Sequence, residues 1–156
     1  MCQEYFGDTW VLDGDIFLNK NFLRADISTS TYFSGKKQIL QPEWELRFNE
    51  KNILQDIIIH DNLLESKKKE IPVHVMSGIS YWSQTSSPII LSALNHKIPL
   101  ILNHSRSDIG NQYWDQLIID NLDKLDISIQ PIDSNDWIEI DCEYDLPSVE
   151  SSNQPM

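Results

Sequence analysis

Two short apolar runs, Val11–Leu18 and Trp137–Leu146, each carry a carboxylate to the point where a β-strand should end. The first delivers Asp13 and Asp15, and the second delivers Asp141. Runs this far apart in sequence whose ends share a chemistry call for a sheet that brings those ends together. Carboxylates converging at strand ends suit a hard divalent ion held against a phosphate, because magnesium prefers oxygen ligands and keeps much of its water. A plainer reading stands beside this one. Asp-Gly-Asp after an apolar strand is also a common turn, since Asp and Gly favour turns on their own account.

The chain has 156 residues, enough for one domain with a real core and too few to expect two. Its 40% hydrophobic content and five tryptophans are those of a globular protein. The net charge of −12, from 12 basic and 24 acidic residues, argues against broad binding to nucleic acid or to an anionic membrane. A phosphorylated substrate stays compatible, because a metal ion and a few cations can reverse the field inside a cleft. No apolar stretch approaches the roughly 20 residues of a membrane span, and no basic, apolar leader opens the sequence. The expected location is therefore cytoplasmic. Cys2 and Cys142, far apart, make neither a disulfide framework nor a zinc pattern.

Along the chain, Thr9–Leu12 reads as a buried strand and Asp13–Asp15 as its turn. Asn19–Asp26 reads as a short helix or irregular connection. Thr29–Ser34 is β-branched and aromatic, Trp44–Phe48 alternates, and Ile53–His60 is strongly β-forming. The last two should pair as a hairpin across Asn49–Asn52. Asp61–Glu70, with Lys67, Lys68 and Lys69, reads as a solvated loop. Val73–Trp82 is a strand, and Thr85–Leu94 a helix opened by Ser86, Ser87 and Pro88. Trp114, Leu117, Ile118, Leu122 and Leu125 fall at helical spacing, which predicts an amphipathic helix between Tyr113 and Leu125. Asp126–Ile132 and Trp137–Ile140 close the pattern as strands. The alternation predicts an α/β fold, a mixed sheet flanked by helices with an inserted antiparallel hairpin, over residues 1–146. Residues 147–156 read as a polar tail.

Aromatic residues on separate segments form the other constellation: Tyr32, Trp44, Tyr81, Trp82, Tyr113 and Trp114. Glu43 and Glu45 flank Trp44, and Asp115 follows Trp114. Aromatic faces beside carboxylates attract a quaternary ammonium through cation–π contacts. The plainer reading is that aromatics fill cores, and Trp114 in particular lies on the apolar helix face. His60, His74, His96 and His104 show neither metal-ligand nor nucleophile-base spacing.

Seven segments occur in an order that resembles the bacterial CTP:phosphocholine cytidylyltransferases of the sugar-nucleotidyltransferase superfamily. They are Val11–Leu18, Ser30–Ser34, Glu43–Leu46, Gln55–Ile58, Ser77–Trp82, Tyr113–Asp115 and Glu139–Asp141. The resemblance covers roughly Asp8 to Leu146 and the latter two-thirds of such enzymes. It implies conversion of CTP and phosphocholine to CDP-choline and pyrophosphate, with Asp15 and Asp141 as catalytic Mg2+ ligands and Asp13 near the nucleotide. Trp44, Tyr81, Trp82, Tyr113 and Trp114 become candidates for a choline box, with Asp115 and Glu139 as counter-charges.

The family opens with a glycine-rich, basic loop and βα units for the base and triphosphate, which this sequence does not show. Met1–Trp10 looks like the middle of such a protein, and two missing βα units amount to about 60–80 residues. A truncated chain with little or no turnover is the resulting expectation. Two other readings stay open: a nucleotidyltransferase acting on a sugar 1-phosphate, and a non-catalytic choline-binding module. Such a module could instead complete its sheet with a separate nucleotide-binding N-terminal half-chain.

Overall fold

The computed structural model describes residues 5–38, 43–60, 71–103, 114–140 and 143. Eight strands and two helices follow one another: β1 (Thr9–Leu12), β2 (Ile16–Leu18), β3 (Thr31–Lys37), β4 (Glu43–Phe48), β5 (Leu54–His60), β6 (Val73–Trp82), α1 (Ser87–Asn103), α2 (Asp115–Ile119), β7 (Ser128–Pro131) and β8 (Trp137–Glu139). The main sheet has six strands in the order β5-β4-β6-β3-β7, and β1 adds to β6. The pairings of β1 with β6, β3 with β6, and β4 with β5 and β6 are antiparallel, whereas β3 and β7 run parallel. The sheet is mixed, as the α/β reading expects. The antiparallel β4–β5 hairpin joins the main sheet where Glu45 pairs with Val75.

Local chemistry explains the well-defined elements. Asn49 shapes the hairpin turn: its Oδ1 accepts from the backbone N–H of Lys51 at 2.9 Å and of Ile53 at 3.1 Å. Asn52 then takes φ +58, a left-handed conformation that asparagine tolerates better than most residues. At the start of α1 the backbone oxygen of Ser83 accepts from the N–H groups of Ser86 and Ser87. The Ser83, Ser86 and Ser30 hydroxyls close into a buried network there, with Ser30 Oγ 2.7 Å from Ser86 Oγ.

The core lies between one sheet face and the helices. Tyr32, Leu46, Leu54, Ile57, Trp82 and Ile129 from the sheet meet Ile90 of α1 and Ile118 of α2, with Leu125 and Ile127 beyond. Side chains alternate along a strand, so the odd-numbered residues of β3 face the other way. There Phe33 meets Trp10 at 5.2 Å and Phe22 at 5.3 Å between ring centroids. Strands β2 and β8 form a separate two-stranded ribbon. Trp137 of β8 lies against Gly35 of β3, and the Lys37 ammonium stands 4.3 Å from its ring centroid. A Cβ on Gly35 would sit 2.6 Å from the Trp137 Nε1, and that ring is only 2% exposed. Gly35→Ala is therefore expected to cost about 1–3 kcal/mol through overpacking, read as a lowered urea midpoint at unchanged slope.

Two helix expectations are corrected. Helix α1 does not stop at Leu94 but runs on to Asn103 with Pro99 inside it. The helix expected between Tyr113 and Leu125 is broken. It ends at Ile119, Asn121 leaves helical geometry at φ −129, and a 3₁₀ turn spans Leu122–Lys124. The Asn121 side-chain amide donates to the Leu117 carbonyl at 2.9 Å, a local bond that competes with helix continuation. The segment from Asn19 to Asp26 is irregular. Among the described residues no helix is long and apolar enough to cross a membrane. The Lys67–Lys69 loop, the tail at 147–156, Cys2, Cys142 and His104 lie outside the described residues.

Candidate active site

At the end of β1 the chain turns through Asp13, Gly14 and Asp15 and enters β2 directly. The Asp13 N–H donates to the Gly78 carbonyl at 2.9 Å, which ties the turn to β6. Gly78 itself stands at φ +70, where the register of β3 against β6 shifts between Tyr32 and Ser34. This bulge leaves room for the Asp13 carboxylate: a Cβ on Gly78 would lie 2.7 Å from Asp13 Oδ2. On the other side of the turn, β2 pairs with β8, and the Ile140 N–H donates to the Asp15 carbonyl at 2.9 Å. The two apolar runs thus converge at Asp15 and Ile140. Asp141, the residue after Ile140, lies outside the described residues.

A second group sits on the core face beside Asp13. The Tyr32 hydroxyl donates to Asp115 Oδ1 at 2.6 Å. The Tyr32 ring meets the edge of Trp82 at 5.4 Å, and Trp82 meets Trp114 at 5.3 Å and near a right angle. Trp82 is fully buried, and its Nε1–H donates to Ser80 Oγ at 2.9 Å. Trp44 packs on the same core from β4.

The electrostatics join these two groups. Burial, with the Asp13 charge adding to it, pushes the Asp115 carboxyl up to about 6, although the Tyr32 hydrogen bond pulls the other way. Asp13 is itself raised, first by burial and then by Asp15. Tyr32 is raised well above 10, chiefly by burial and then by Asp115, so it stays a donor throughout the physiological range. Clustered acids that resist ionising together favour a nearby cation.

Other sequence candidates are placed elsewhere. Tyr81 points to the opposite face, where its ring meets Trp10 at 5.5 Å and its hydroxyl donates to Asp8 Oδ1 at 2.9 Å. Its neighbour Trp82 faces the core because successive strand residues alternate. Glu139 accepts from the Lys37 ammonium at 3.2 Å and does not join the Asp115 group. Glu43 and Glu45 do not flank Trp44 as parts of one box. They lie on the other face of β4, where Glu43 is 3.5 Å from Lys37 and Glu45 is 2.8 Å from His60 Nε2. Tyr113 lies outside the described residues. Among the described residues no group of three or more His, Cys, Asp or Glu side chains is placed to hold a metal ion. Sequence reasoning missed Tyr32 as the partner of Asp115 and Gly78 as the seat of Asp13. Only the glycine inside a strand carried a signal, since an internal strand glycine marks a bulge or a close approach.

No family model matches the chain. It is similar to two curated proteins named choline-phosphate cytidylyltransferase. The one from Streptococcus pneumoniae is 29% identical over 150 residues, covering 96% of this chain and 59% of the relative. The one from Haemophilus influenzae is 28% identical over 141 residues, covering 90% of this chain and 55% of the relative. Among solved structures, the CTP:phosphocholine cytidylyltransferase from Streptococcus pneumoniae superposes with a TM-score of 0.79 at 27% identity. That match covers 97% of this chain and 60% of the other. The chain thus spans a little over half the length of the relatives it matches. With a mixed sheet in the nucleotidyltransferase manner and matches over nearly all its own length, the chain is a homologue of proteins named choline-phosphate cytidylyltransferases.

Proposed function

We propose that this chain carries the acceptor-binding and metal-binding part of a phosphocholine cytidylyltransferase, which joins CTP and phosphocholine into CDP-choline with release of pyrophosphate. The observation that carries the reading is Asp115: a half-buried carboxylate fixed by a tyrosine hydroxyl, next to Trp114 and backed by Trp82. A quaternary ammonium is large, weakly hydrated and unable to donate hydrogen bonds, so aromatic faces and one desolvated carboxylate suit it. Sugars ask instead for many hydrogen-bonding groups.

The donor set at the turn fits a hard divalent ion. Asp13 and Asp15 offer only carboxylate oxygens, and the Asp15 charge adds to burial in disfavouring the ionised form of Asp13. Asp15 and Asp141 would hold the ion, and Asp13 would stand on the nucleotide side. A magnesium ion there supplies charge neutralisation for the reacting phosphates. The chain's own part is to bind the ammonium at Asp115 and aim the attached phosphate toward the turn that bears Asp15. No protein nucleophile is required, because the phosphate of phosphocholine is itself the attacking group. The five glycines are dispersed along the sequence.

Calorimetry on the chain tests this. Phosphocholine should bind saturably, and phosphoethanolamine about tenfold or more weakly, since it lacks the methyl groups that bring a cation onto the rings. Little or no pyrophosphate should form from CTP and phosphocholine with this chain alone. Equal affinity for the two amines, or preference for a sugar 1-phosphate, overturns the assignment of the acceptor.

A further inference from the structure

We propose that Tyr32 is the positioning residue of this site, the group that fixes the orientation and the charge of Asp115. The inference deepens the proposed function and rests on it for the identity of the ligand. Four side chains form a closed ring of contacts drawn from three elements. Tyr32 of β3 touches Trp82 of β6, and Trp82 touches Trp114 just ahead of α2. Asp115 follows Trp114 in sequence and returns to Tyr32 through the 2.6 Å hydrogen bond.

That bond is the polar link that docks α2 on the sheet at this point. Helix α2 is only five residues long, and Trp114 at its N-cap makes no side-chain capping bond. A helix so short has no stability of its own, so its first residue takes its place from what holds it. Tyr32 is well suited to hold it. It is 3% exposed, rooted in the central sheet, and its ring is locked against a Trp82 that is 0% exposed. A phenol donating to a carboxylate at this distance is a charge-assisted bond, among the stronger hydrogen bonds in proteins.

The same bond opposes the other influences on Asp115. Burial and Asp13 favour its neutral form, and the Tyr32 hydroxyl favours the charged form a cation needs. The titratable groups facing Asp115 are Tyr32 from β3 and Asp13 from the β1–β2 turn, with Asp15 acting on Asp13. Trp82 and Trp114 present no ionisable group. Tyr32 is thus neither a ligand contact nor a catalytic group. It acts through Asp115.

Tyr32→Phe tests this on the full chain, because it keeps the ring and its packing and removes only the hydroxyl. Phosphocholine affinity should fall about 5- to 30-fold. The pH below which affinity is lost should move upward, since Asp115 loses the bond that favours its ionised form. In an Asp115→Asn background the same change should have little further effect on affinity. Carboxyl NMR of Asp115, assigned with Asp115→Asn, gives a readout that needs no ligand. A higher titration midpoint in Tyr32→Phe supports the role, and an unchanged midpoint overturns it. A parent chain that binds no phosphocholine overturns the proposed function, and the NMR titration still decides the role of Tyr32.

Discussion

Asp115→Asn yields a chain that is more stable than its parent at pH 8 and nearly equal to it at pH 4. The carboxyl stands at about 6 in the folded protein against 3.8 in an exposed carboxyl, so the folded state holds its proton more tightly than the unfolded state. Between those values the folded state binds more protons, and its stability falls as pH rises through about 6. Above that range the ionised, half-buried carboxylate costs the fold about 2–3 kcal/mol. Asparagine is close to isosteric, still accepts from the Tyr32 hydroxyl and carries no charge. The variant should gain about 5–10 °C in melting temperature at pH 8, a gain that shrinks toward pH 4. Asp13 shifts in the same sense as Asp115, and His74 in the opposite one, lowered by burial and by Lys36, so a pH scan of the parent alone mixes several slopes. The difference between variant and parent isolates Asp115. The same substitution should weaken phosphocholine binding at least about tenfold, because the ammonium loses its half-buried counter-charge. Stability gained together with affinity lost is the signature of a residue kept for function at the expense of the fold. A variant less stable than the parent at pH 8 would show that Asp115 is a structural anchor instead.

What the sequence revealed and what it hid follow from the range of the forces involved. Strands β1 and β6 fall at Thr9–Leu12 and Val73–Trp82, the bounds their apolar and β-branched residues predict, because alternation is a local pattern. The β4–β5 hairpin was legible for the same reason, with Asn49 and Asn52 at the turn. Helix α1 continues beyond the expected end at Leu94, through Asn95, His96 and Pro99. Ile89, Ile90 and Leu94 pack on the core in the first half of the helix, whereas Leu100 and Leu102 in the extension are exposed. The broken second helix shows the converse, since Leu122 and Leu125 reach the core from a 3₁₀ turn at nearly helical spacing. The aromatic candidates were chosen by type, and type does not say which face a side chain takes. Alternation within β6 separates Tyr81 from Trp82, and alternation within β4 separates Trp44 from Glu43 and Glu45. The contact between Tyr32 and Asp115 joins residues 83 positions apart, and nothing local in either segment encodes it.

Gly78→Ala is expected to be the most damaging small substitution near the site, at about 2–5 kcal/mol. Two costs combine in that figure. The backbone at Gly78 holds φ +70, which costs a residue with a Cβ about 1–2 kcal/mol. The added methyl would also meet Asp13 Oδ2 at 2.7 Å and Ile16 Cδ1 at 3.0 Å, and overpacking of this kind costs about 1–3 kcal/mol. The conformation cannot relax cheaply. The Gly78 carbonyl accepts the Asp13 N–H, and the bulge reconciles the pairing of Tyr32 with Ser80 and that of Ser34 with Met76. Flattening it would slip one half of β6 by two residues against β3 and break the pairing on one side of the bulge. A double-mutant cycle with Asp13→Ala separates the two costs. If the carboxylate is what the methyl meets, Gly78→Ala should be milder in the Asp13→Ala background by about 1 kcal/mol or more, leaving the backbone strain and the Ile16 contact. Urea unfolding of the four proteins measures this. Equal costs in both backgrounds would mean that the glycine serves only the bulge, and that Asp13 takes its place over β6 for reasons unrelated to the missing side chain.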